Sequence, residues 1–167
     1  MRVLVSTTQD RLARSGLYRL LARLWLQEVD APFLQNLGKG ELGAAYVDAG
    51  GWVPSLVTVE TVDDLAIDFC QLFLGPSRHL PPYQSVWQEG KLEGQACQSM
   101  RDFADAVQYN LAEGAPGIMP DHLGLQLGLM GHVTTSDRME DGEAIGEWEE
   151  AFFAMHLSWP SPLLEMA

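Results

Sequence analysis

The feature that most constrains the fold is a stretch near residue 130 in which apolar side chains cover almost the whole surface of a helix. Apolar residues recur there at helical spacing on two faces, formed by Leu125, Leu129 and Val133 and by Leu123, Leu127 and Met130. A helix this apolar is usually surrounded by other elements. Gly124, Gly128 and Gly131 each lower its intrinsic stability by about 1 kcal/mol relative to Ala, but they permit close approach of a neighbour. We therefore predict a central, closely packed helix that begins at Asp121.

Helical spacing recurs along most of the chain, with Gly and Pro residues between the helical stretches. Apart from the central helix, the predicted helices cover approximately residues 8–28, 30–38, 41–49, 61–74, 95–113 and 141–159. Thr7 or Thr8 can cap the first, and Pro160 and Pro162 follow the last. The sequence thus predicts an all-α fold, a bundle of about six or seven helices that forms a single domain over residues 1–167.

Apolar spacing also predicts which helix faces point inward. In the first helix the expected stripe is Ala13, Leu17, Leu20 and Leu24, and in the last the inward residues include Ile145, Trp148, Phe152, Phe153 and Met155. Asp30 and Thr61 are the expected N-caps of two other helices. Residues 52–59 are β-prone, but Pro54 and the lack of a partner strand predict an extended connector.

The longest predicted interruption, residues 74–94, is a candidate functional loop, since structureless loops of this length are uncommon in compact domains. Its notable residues are Gly75, Pro76, Pro81, Pro82, Tyr83 and Trp87. Prolines restrict the backbone and so reduce the entropy lost on binding, and aromatic side chains offer flat, amphipathic contact area. Leu72 and Phe73 lie where the preceding helix enters the loop. These residues either line a groove for a polypeptide or pin the loop to the bundle, and the sequence leaves both readings open.

Asp121 and His122 place an acid and an imidazole at the predicted start of the central helix. As an N-cap, Asp121 would stabilise the helix by about 1 kcal/mol, and His122 would be a structural histidine. In a binding role, the Asp121 carboxylate would pair with an incoming arginine. His122 would then hydrogen-bond backbone groups and respond to pH near neutrality.

The chain is acidic, and its charge is unevenly spread. The net charge is −13; the first 30 residues contain five Arg and three acidic residues, and the remainder contains five basic and twenty acidic residues. Such a surface repels nucleic acid and attracts a basic peptide, or it serves solubility alone. No apolar run approaches the roughly 18 residues that span a bilayer. The short apolar stretch at residues 3–5 does not form a signal peptide, so we expect a cytoplasmic protein.

The sequence offers no clear reaction centre. Cys70 and Cys97 are not paired in a Cys-x-x-Cys motif, and His122 and His132 are ten residues apart, about 15 Å along a helix. No Gly-x-Ser-x-Gly elbow, phosphate-binding loop or dinucleotide fingerprint is present. We therefore expect no catalytic residues, no metal and no cofactor.

Four sequence motifs in a fixed order carry a family resemblance. They are Gln71-Leu72-Phe73-Leu74-Gly75-Pro76, Pro81-Pro82-Tyr83-Gln84-Ser85-Val86-Trp87, Pro120-Asp121-His122-Leu123-Gly124 and His156-Leu157-Ser158-Trp159. With these motifs the chain resembles the TorD/DmsD type of redox-enzyme maturation chaperone, relatives of the nitrate reductase delta subunit, over roughly residues 10–160. The resemblance implies a non-enzymatic chaperone that binds the twin-arginine signal peptide and the immature form of a molybdenum-cofactor oxidoreductase. Such a chaperone assists cofactor insertion and holds back export.

The resemblance also implies a set of peptide-binding residues. That set is Leu72, Phe73, Gly75, Pro76, Pro82, Tyr83, Ser85, Trp87, Asp121 and His122. The alternative hypothesis is a small nucleotide-binding regulator or enzyme that uses Asp121 and His122. A purely structural helical adaptor is a third.

Three features depart from the family pattern. Gln126 stands where relatives often carry Glu, and Arg78 and His79 add basic character to the predicted loop. The sequence ends soon after Trp159, where relatives usually continue with further helices. A last helix without a cover would favour a homodimer or the exchange of a segment between protomers.

Overall fold

The computed structural model describes residues 8–76, 79–111, 115–135 and 142–166. These residues form helices joined by turns and irregular segments. These residues contain no strand, only an isolated antiparallel bridge between Tyr83 and His122. The all-α prediction is therefore confirmed. Within the same ranges, no helix combines the length and the apolar character needed to cross a membrane. Thr7, Arg78 and the predicted start of the last helix at residue 141 lie outside the described residues.

The helices whose bounds lie within the described residues are, in chain order, α1 (Thr8–Leu26), α2 (Ala31–Leu37), α3 (Glu41–Asp48), α4 (Val59–Phe69), α5 (Gln84–Glu89), α6 (Gln95–Ala106), α7 (Leu123–Thr134), α8 (Gly142–Phe152) and α9 (Ser161–Met166). Helices α4 and α8 continue into π-helical turns, Cys70–Leu74 and Phe153–Leu157.

The chain forms two compact units. The terminal unit consists of Met1–Leu26 and Pro82–Ala167, and the middle unit consists of Gln27–Pro81. The assignment of residues 1–167 to one domain stays a prediction.

Helix α7 forms the centre of the terminal unit, as its apolar surface predicted. Ten of its 12 residues are buried, and only Gly128 and His132 are partly exposed. Its side chains pack with those of α6 and α8 in one hydrophobic cluster. The buried members of this cluster are Met100, Ala104, Val107, Leu129, Met130, Val133 and Phe152.

Helix α1 approaches α7 closely because α7 has glycines on the contact side. A Cβ atom added at Gly124 would lie 2.5 Å from Cγ of Leu26, and one added at Gly131 would lie 3.1 Å from Cγ of Arg19. At the same contact, the hydroxyl of Ser15 donates a 2.6 Å hydrogen bond to the Gly131 carbonyl. The predicted close approach of a neighbouring helix is thus confirmed.

The face of α1 that is buried differs from the predicted apolar stripe. Leu20 is buried as expected, but Ala13 and Leu17 are exposed. Ser15 and Ala22 are buried instead. Because the two backbones come close together, small side chains occupy the contact, and a pattern of large apolar side chains does not reveal it.

Helix α6 ends at Ala106, well before the predicted end near residue 113. Gln108 adopts a left-handed backbone with φ 55°. The N–H groups of Gln108 and Tyr109 bond back to the carbonyls of Asp105 and Ala104, at 3.1 and 2.8 Å. This is a Schellman ending in which Gln takes the place of the usual Gly. Because this position carries Gln108 rather than a Gly, nothing in the sequence indicates that the helix ends there.

Part of the predicted loop 74–94 is helical. Helix α5 begins after Tyr83, whose backbone is extended, and ends at Gly90, whose φ is 69°. Its six residues are too few for a helical period to be visible, and the Tyr83 side chain does not cap the helix. The sequence analysis therefore missed α5.

The end of the last predicted helix also differs from expectation. After Phe152 the chain widens into the π turn, in which His156 is buried while Phe153 and Met155 are 52% and 49% exposed. The prediction that Phe153 and Met155 face inward was therefore wrong, since a wider turn changes which residues share a face. Pro162 lies in the first turn of α9, where Pro is tolerated, rather than stopping a helix.

In the middle unit, side-chain caps define the helix starts. Oδ1 of Asp30 accepts a 2.8 Å hydrogen bond from the Phe33 N–H, as predicted for the N-cap of α2. Helix α4 is capped by Thr58 rather than Thr61, because Oγ1 of Thr58 accepts from the Thr61 N–H at 3.1 Å. Residues 51–58 lie between α3 and α4 without regular structure, which confirms the predicted connector.

Candidate functional site

Two of the motifs meet in the terminal unit. The Gln84 N–H donates to the Asp121 carbonyl at 3.1 Å, and the Leu123 N–H donates to the Pro82 carbonyl at 2.8 Å. These bonds form the antiparallel bridge between Tyr83 and His122, whose rings also meet edge to face at 5.0 Å. The structure thus brings together the aromatic loop and the Asp-His pair, as the sequence led us to expect.

The Asp121 side chain is fully buried and both of its oxygens are engaged. Oδ2 accepts from the backbone N–H of Ser85 at 2.8 Å, and Oδ1 accepts from the Cys97 thiol at 3.0 Å. Burial, followed by the hydrogen bond to Asp121, raises the pKa of Cys97 to about 11. The thiol therefore stays protonated and serves as a donor rather than as a nucleophile.

His122, not Asp121, is the N-cap of α7. Its Nδ1 accepts a 3.0 Å hydrogen bond from the Gly124 N–H, so the proton of the neutral ring lies on Nε2. Burial lowers the pKa of His122 to about 4, and the nearby Asp121 carboxylate only partly opposes this effect. The expectation that His122 responds to pH near neutrality is therefore wrong for the folded protein.

A series of hydrogen-bonded polar side chains lies beside Asp121 and His122, and the sequence analysis did not anticipate it. The indole N–H of Trp159 donates to Oε1 of Gln126 at 2.9 Å. Nε2 of Gln126 donates to Oε1 of Gln84 at 2.7 Å, and Nε2 of Gln84 donates to the Met155 carbonyl at 2.8 Å. We call Trp159, Gln126, Gln84, His156 and Ser99 the glutamine chain.

The glutamine chain fixes the protonation of His156. An indole N–H only donates and a carbonyl only accepts, so both amides have one possible orientation. Oε1 of Gln84 is then an acceptor, and Nδ1 of His156, 2.9 Å away, must donate to it. Nε2 of His156 accepts from the Ser99 hydroxyl at 2.9 Å. Burial lowers the pKa of His156 to about 4, which keeps this neutral form at pH 7.

The remaining candidate residues of the terminal unit differ in accessibility. Tyr83 and Trp87 are half-buried, whereas Pro82 and Ser85 are buried. The Ser85 hydroxyl has no hydrogen-bond partner among the described residues. Burial and the Asp121 charge raise the pKa of Tyr83, so its phenol remains a neutral donor. Tyr83 and Trp87 are therefore the candidates here that keep surface for a partner.

In the middle unit, the candidate residues surround the end of α4. Leu72, Phe73 and Gly75 are half-buried, and Pro76 is exposed. The Phe73 ring meets that of Phe69 edge to face at 5.1 Å.

Each unit also contains a cleft that sequence analysis did not predict. The cleft of the terminal unit, about 640 Å³, lies between the end of α6 and residues 115–120 and is lined by Arg101, Asp105 and Tyr109 among others. The cleft of the middle unit, about 810 Å³, lies between α2, α3 and the connector at 53–57. Neither cleft is lined by Tyr83, Trp87 or Asp121. The described residues include no group of three or more acidic, His or Cys side chains arranged to hold a metal ion.

Comparison with known proteins places the chain within a family. The profile described as nitrate reductase delta subunit matches residues 33–163. "Chaperone protein TorD" of Shewanella oneidensis is 30% identical over 139 residues, which are 72% of this chain and 64% of that protein. The protein of the same name from Shewanella sp. ANA-3 is 29% identical over 140 residues, 72% of this chain and 66% of that protein.

A shorter match comes from another genus. The "Chaperone protein TorD" of Vibrio cholerae is 39% identical over 79 residues, 44% of this chain and 34% of that protein. The chain thus spans less than two thirds of the length of these relatives. No solved structure matches significantly.

Proposed function

This chain belongs to the nitrate reductase delta subunit family, and from this membership we propose that it is a maturation chaperone for a redox enzyme. The proposed client is a molybdenum-cofactor oxidoreductase with a twin-arginine signal peptide. In the cytoplasm, the chaperone binds that signal and the immature enzyme, assists cofactor insertion and delays export. It performs no covalent chemistry and needs no cofactor of its own. The curated relatives named TorD support the chaperone assignment.

The observation that carries the proposal is the fixed placement of Tyr83 and Trp87. Two backbone hydrogen bonds and the Asp121 carboxylate hold the segment from Pro82 to Ser85 on the start of α7. A contact surface that is already ordered loses little entropy when a peptide binds. Half-exposed Tyr and Trp side chains supply the contacts that most often dominate peptide affinity.

The middle unit supplies a second group of residues to this proposal. Leu72 and Phe73 are partly accessible apolar side chains at the end of α4, next to Gly75 and Pro76. We assign them contacts with the apolar stretch of the signal peptide, independently of the terminal unit. The excess of acidic residues, which gives a net charge of −13, favours the arginines of the signal by attracting them over a distance.

The test is a titration with a twin-arginine peptide, in which calorimetry or fluorescence anisotropy measures the affinity. Trp87→Ala and Tyr83→Ala should each weaken binding about tenfold or more, because truncating a residue that dominates an interface costs about 1–2 kcal/mol or more. Trp52→Ala is the matched control, since Trp52 is an exposed tryptophan of the middle unit outside the proposed site. If the wild-type protein binds no such peptide, the function proposed is wrong. If it binds but both aromatic variants bind equally well, the site is wrong.

The alternative, a nucleotide-binding regulator or enzyme that uses Asp121 and His122, finds no support in the geometry of these residues. Both side chains are buried, and the Asp121 oxygens already accept hydrogen bonds. Thermal shift with nucleotides beside the peptide distinguishes the two functions. A ligand at a hundred times its dissociation constant stabilises by about 2.7 kcal/mol. A shift with nucleotide and none with peptide would favour the alternative.

We also propose that the chain forms a homodimer. Leu164 and Met166 on α9 are exposed apolar side chains, and exposed apolar surface favours association. Light scattering over a concentration series should show a dimer, and a strictly monomeric protein at high concentration would contradict it.

A further inference from the structure

The Asp121 carboxylate is placed as a structural acceptor rather than as a surface charge. It is 0% exposed, and its oxygens accept from the Ser85 N–H and the Cys97 thiol. A guanidinium from a bound peptide would reach it only if the covering side chains moved. It would also compete with the Ser85 N–H, and leaving a buried backbone N–H without its acceptor is unfavourable, so direct pairing of this residue with an arginine is disfavoured.

Helix α5 needs an acceptor that its own sequence does not provide. It has six residues, and the side chain of its N-cap residue, Tyr83, makes no capping hydrogen bond. Helices this short are unstable in isolation, and their first N–H groups require partners. Ser85 is the second residue of α5, and its N–H is one of these groups. A capping side chain normally bonds the N–H at this position or the next, and a negative charge there also favours the helix dipole.

We propose that Asp121 is a positioning residue, which caps α5 from another segment and so fixes Tyr83 and Trp87 in their places. The cap crosses 36 residues of sequence, from the start of α7 to the start of α5. The Cys97 thiol, protonated at neutral pH, orients the carboxylate by donating to its other oxygen. The effect on peptide binding rests on the proposed function, but the capping itself does not.

Hydrogen exchange of the free protein tests the cap directly. Asp121→Ala should speed exchange of the amides in residues 84–89 roughly tenfold, as expected for the loss of a helix cap. Asp121→Asn keeps an oxygen acceptor for the Ser85 N–H, so it should stay within about threefold of wild type. Val133→Ala, which removes buried atoms from the core side of α7, controls for general destabilisation and should not affect residues 84–89 selectively. Unchanged exchange there in Asp121→Ala would overturn the proposal.

If Asp121→Ala does not fold, the Asn variant still decides the question through a double-mutant cycle with the peptide. Wild type and Asp121→Asn are each titrated with a twin-arginine peptide and with a peptide whose two arginines are replaced by glutamine. A positioning role predicts that the variant changes the affinity for both peptides by the same factor, within about twofold. A loss of about tenfold confined to the twin-arginine peptide would reveal direct charge pairing and contradict the inference. Absence of any binding by wild type would refute the proposed function but not the cap. Hydrogen exchange of the wild-type protein then decides the cap: a capped α5 should protect the amides of residues 84–89, and exchange there as fast as in an unfolded chain would overturn the inference.

Discussion

At the scale of single residues, the motif side chains divide into buried ones that organise and half-exposed ones that remain accessible. Asp121 and His122 have the chemistry of a binding pair, yet each makes its hydrogen bonds within the protein. Tyr83 and Trp87 keep accessible surface. Sequence identifies the residue types of such a motif, but burial, which depends on the whole fold, decides their roles.

Two buried serines should respond in opposite ways to replacement by alanine. The Ser85 hydroxyl has no partner among the described residues, whereas the Ser15 hydroxyl donates to the Gly131 carbonyl at 2.6 Å. Ser85→Ala should leave the free energy of unfolding unchanged or raise it by up to about 1 kcal/mol, and Ser15→Ala should lower it by about 1 kcal/mol. Urea denaturation measures both. An equal loss in the two variants would show that the Ser85 hydroxyl is also bonded.

The two buried histidines should make stability depend on pH just below neutrality. In the folded protein, burial lowers the pKa of His122 and of His156 to about 4, whereas an unfolded His has a pKa of about 6.5. The unfolded chain therefore takes up protons first as pH falls. This contribution to stability is complete above about pH 6.5 and is lost as pH falls toward 4, with a loss on the order of 2 kcal/mol for each histidine by pH 5.

Urea denaturation at pH 7.5, 6 and 5 checks this dependence. His156→Gln should flatten the profile because one of the two sites is removed, and His79→Gln, at an exposed position, should not. A wild-type stability that is constant between pH 7 and 5 would show that these rings are not held neutral.

At the scale of elements, the helices and contacts that could be predicted from sequence are those formed by many large apolar side chains or by neighbouring residues. Helix α7 was predicted because many large apolar residues repeat along it, and the cap at Asp30 was predicted because it is local. The contact of α1 with α7 depends on Ser15 and Ala22, whose small side chains give no hydrophobic signal. Helix α5 is too short to show a period and is capped from a distant segment. Long-range contacts therefore account for most of what the sequence did not reveal.

The glycines of α7 offer a direct test of helix packing. Gly131→Ala places a Cβ 3.1 Å from Cγ of Arg19 and 3.3 Å from the Ser15 carbonyl. Overpacking of this kind should lower the free energy of unfolding by about 1–3 kcal/mol, despite the better helix propensity of Ala. Gly146→Ala is the matched control, since nothing lies within 4 Å of its added Cβ, and it should stabilise by about 0.5–1 kcal/mol. Equal stabilisation of both variants would contradict the close approach of α1.

At the scale of the whole molecule, charge is the property that sequence alone describes best. The net charge of −13 needs no fold to be known, whereas the division into two units and the two clefts depend on contacts between distant segments. The resemblance assigned Tyr83 and His122 to one set of peptide-binding residues, and a backbone bridge joins them in the structure. The accessibility of each motif residue was not predictable, because it depends on what packs over it.

The acidic surface should act on the rate of peptide association more than on dissociation. Raising the salt concentration from 0.05 to 0.5 M should slow association of a twin-arginine peptide roughly tenfold, with little change in the dissociation rate. Stopped-flow fluorescence separates the two rates. A peptide with both arginines replaced by glutamine is the control and should show a weaker salt dependence. An association rate independent of salt would exclude steering by the −13 net charge.

The direction of the glutamine chain has a consequence for related sequences. The Trp159 indole can only donate a hydrogen bond, and this fixes which atoms donate and which accept in the bonds that follow, through Gln126 and Gln84 to His156. In a relative with Glu in place of Gln126, the side chain has no N–H to donate to Oε1 of Gln84. Another donor must then replace it. We expect positions 84, 126 and 156 to change together during evolution, as a coupled trio rather than one at a time.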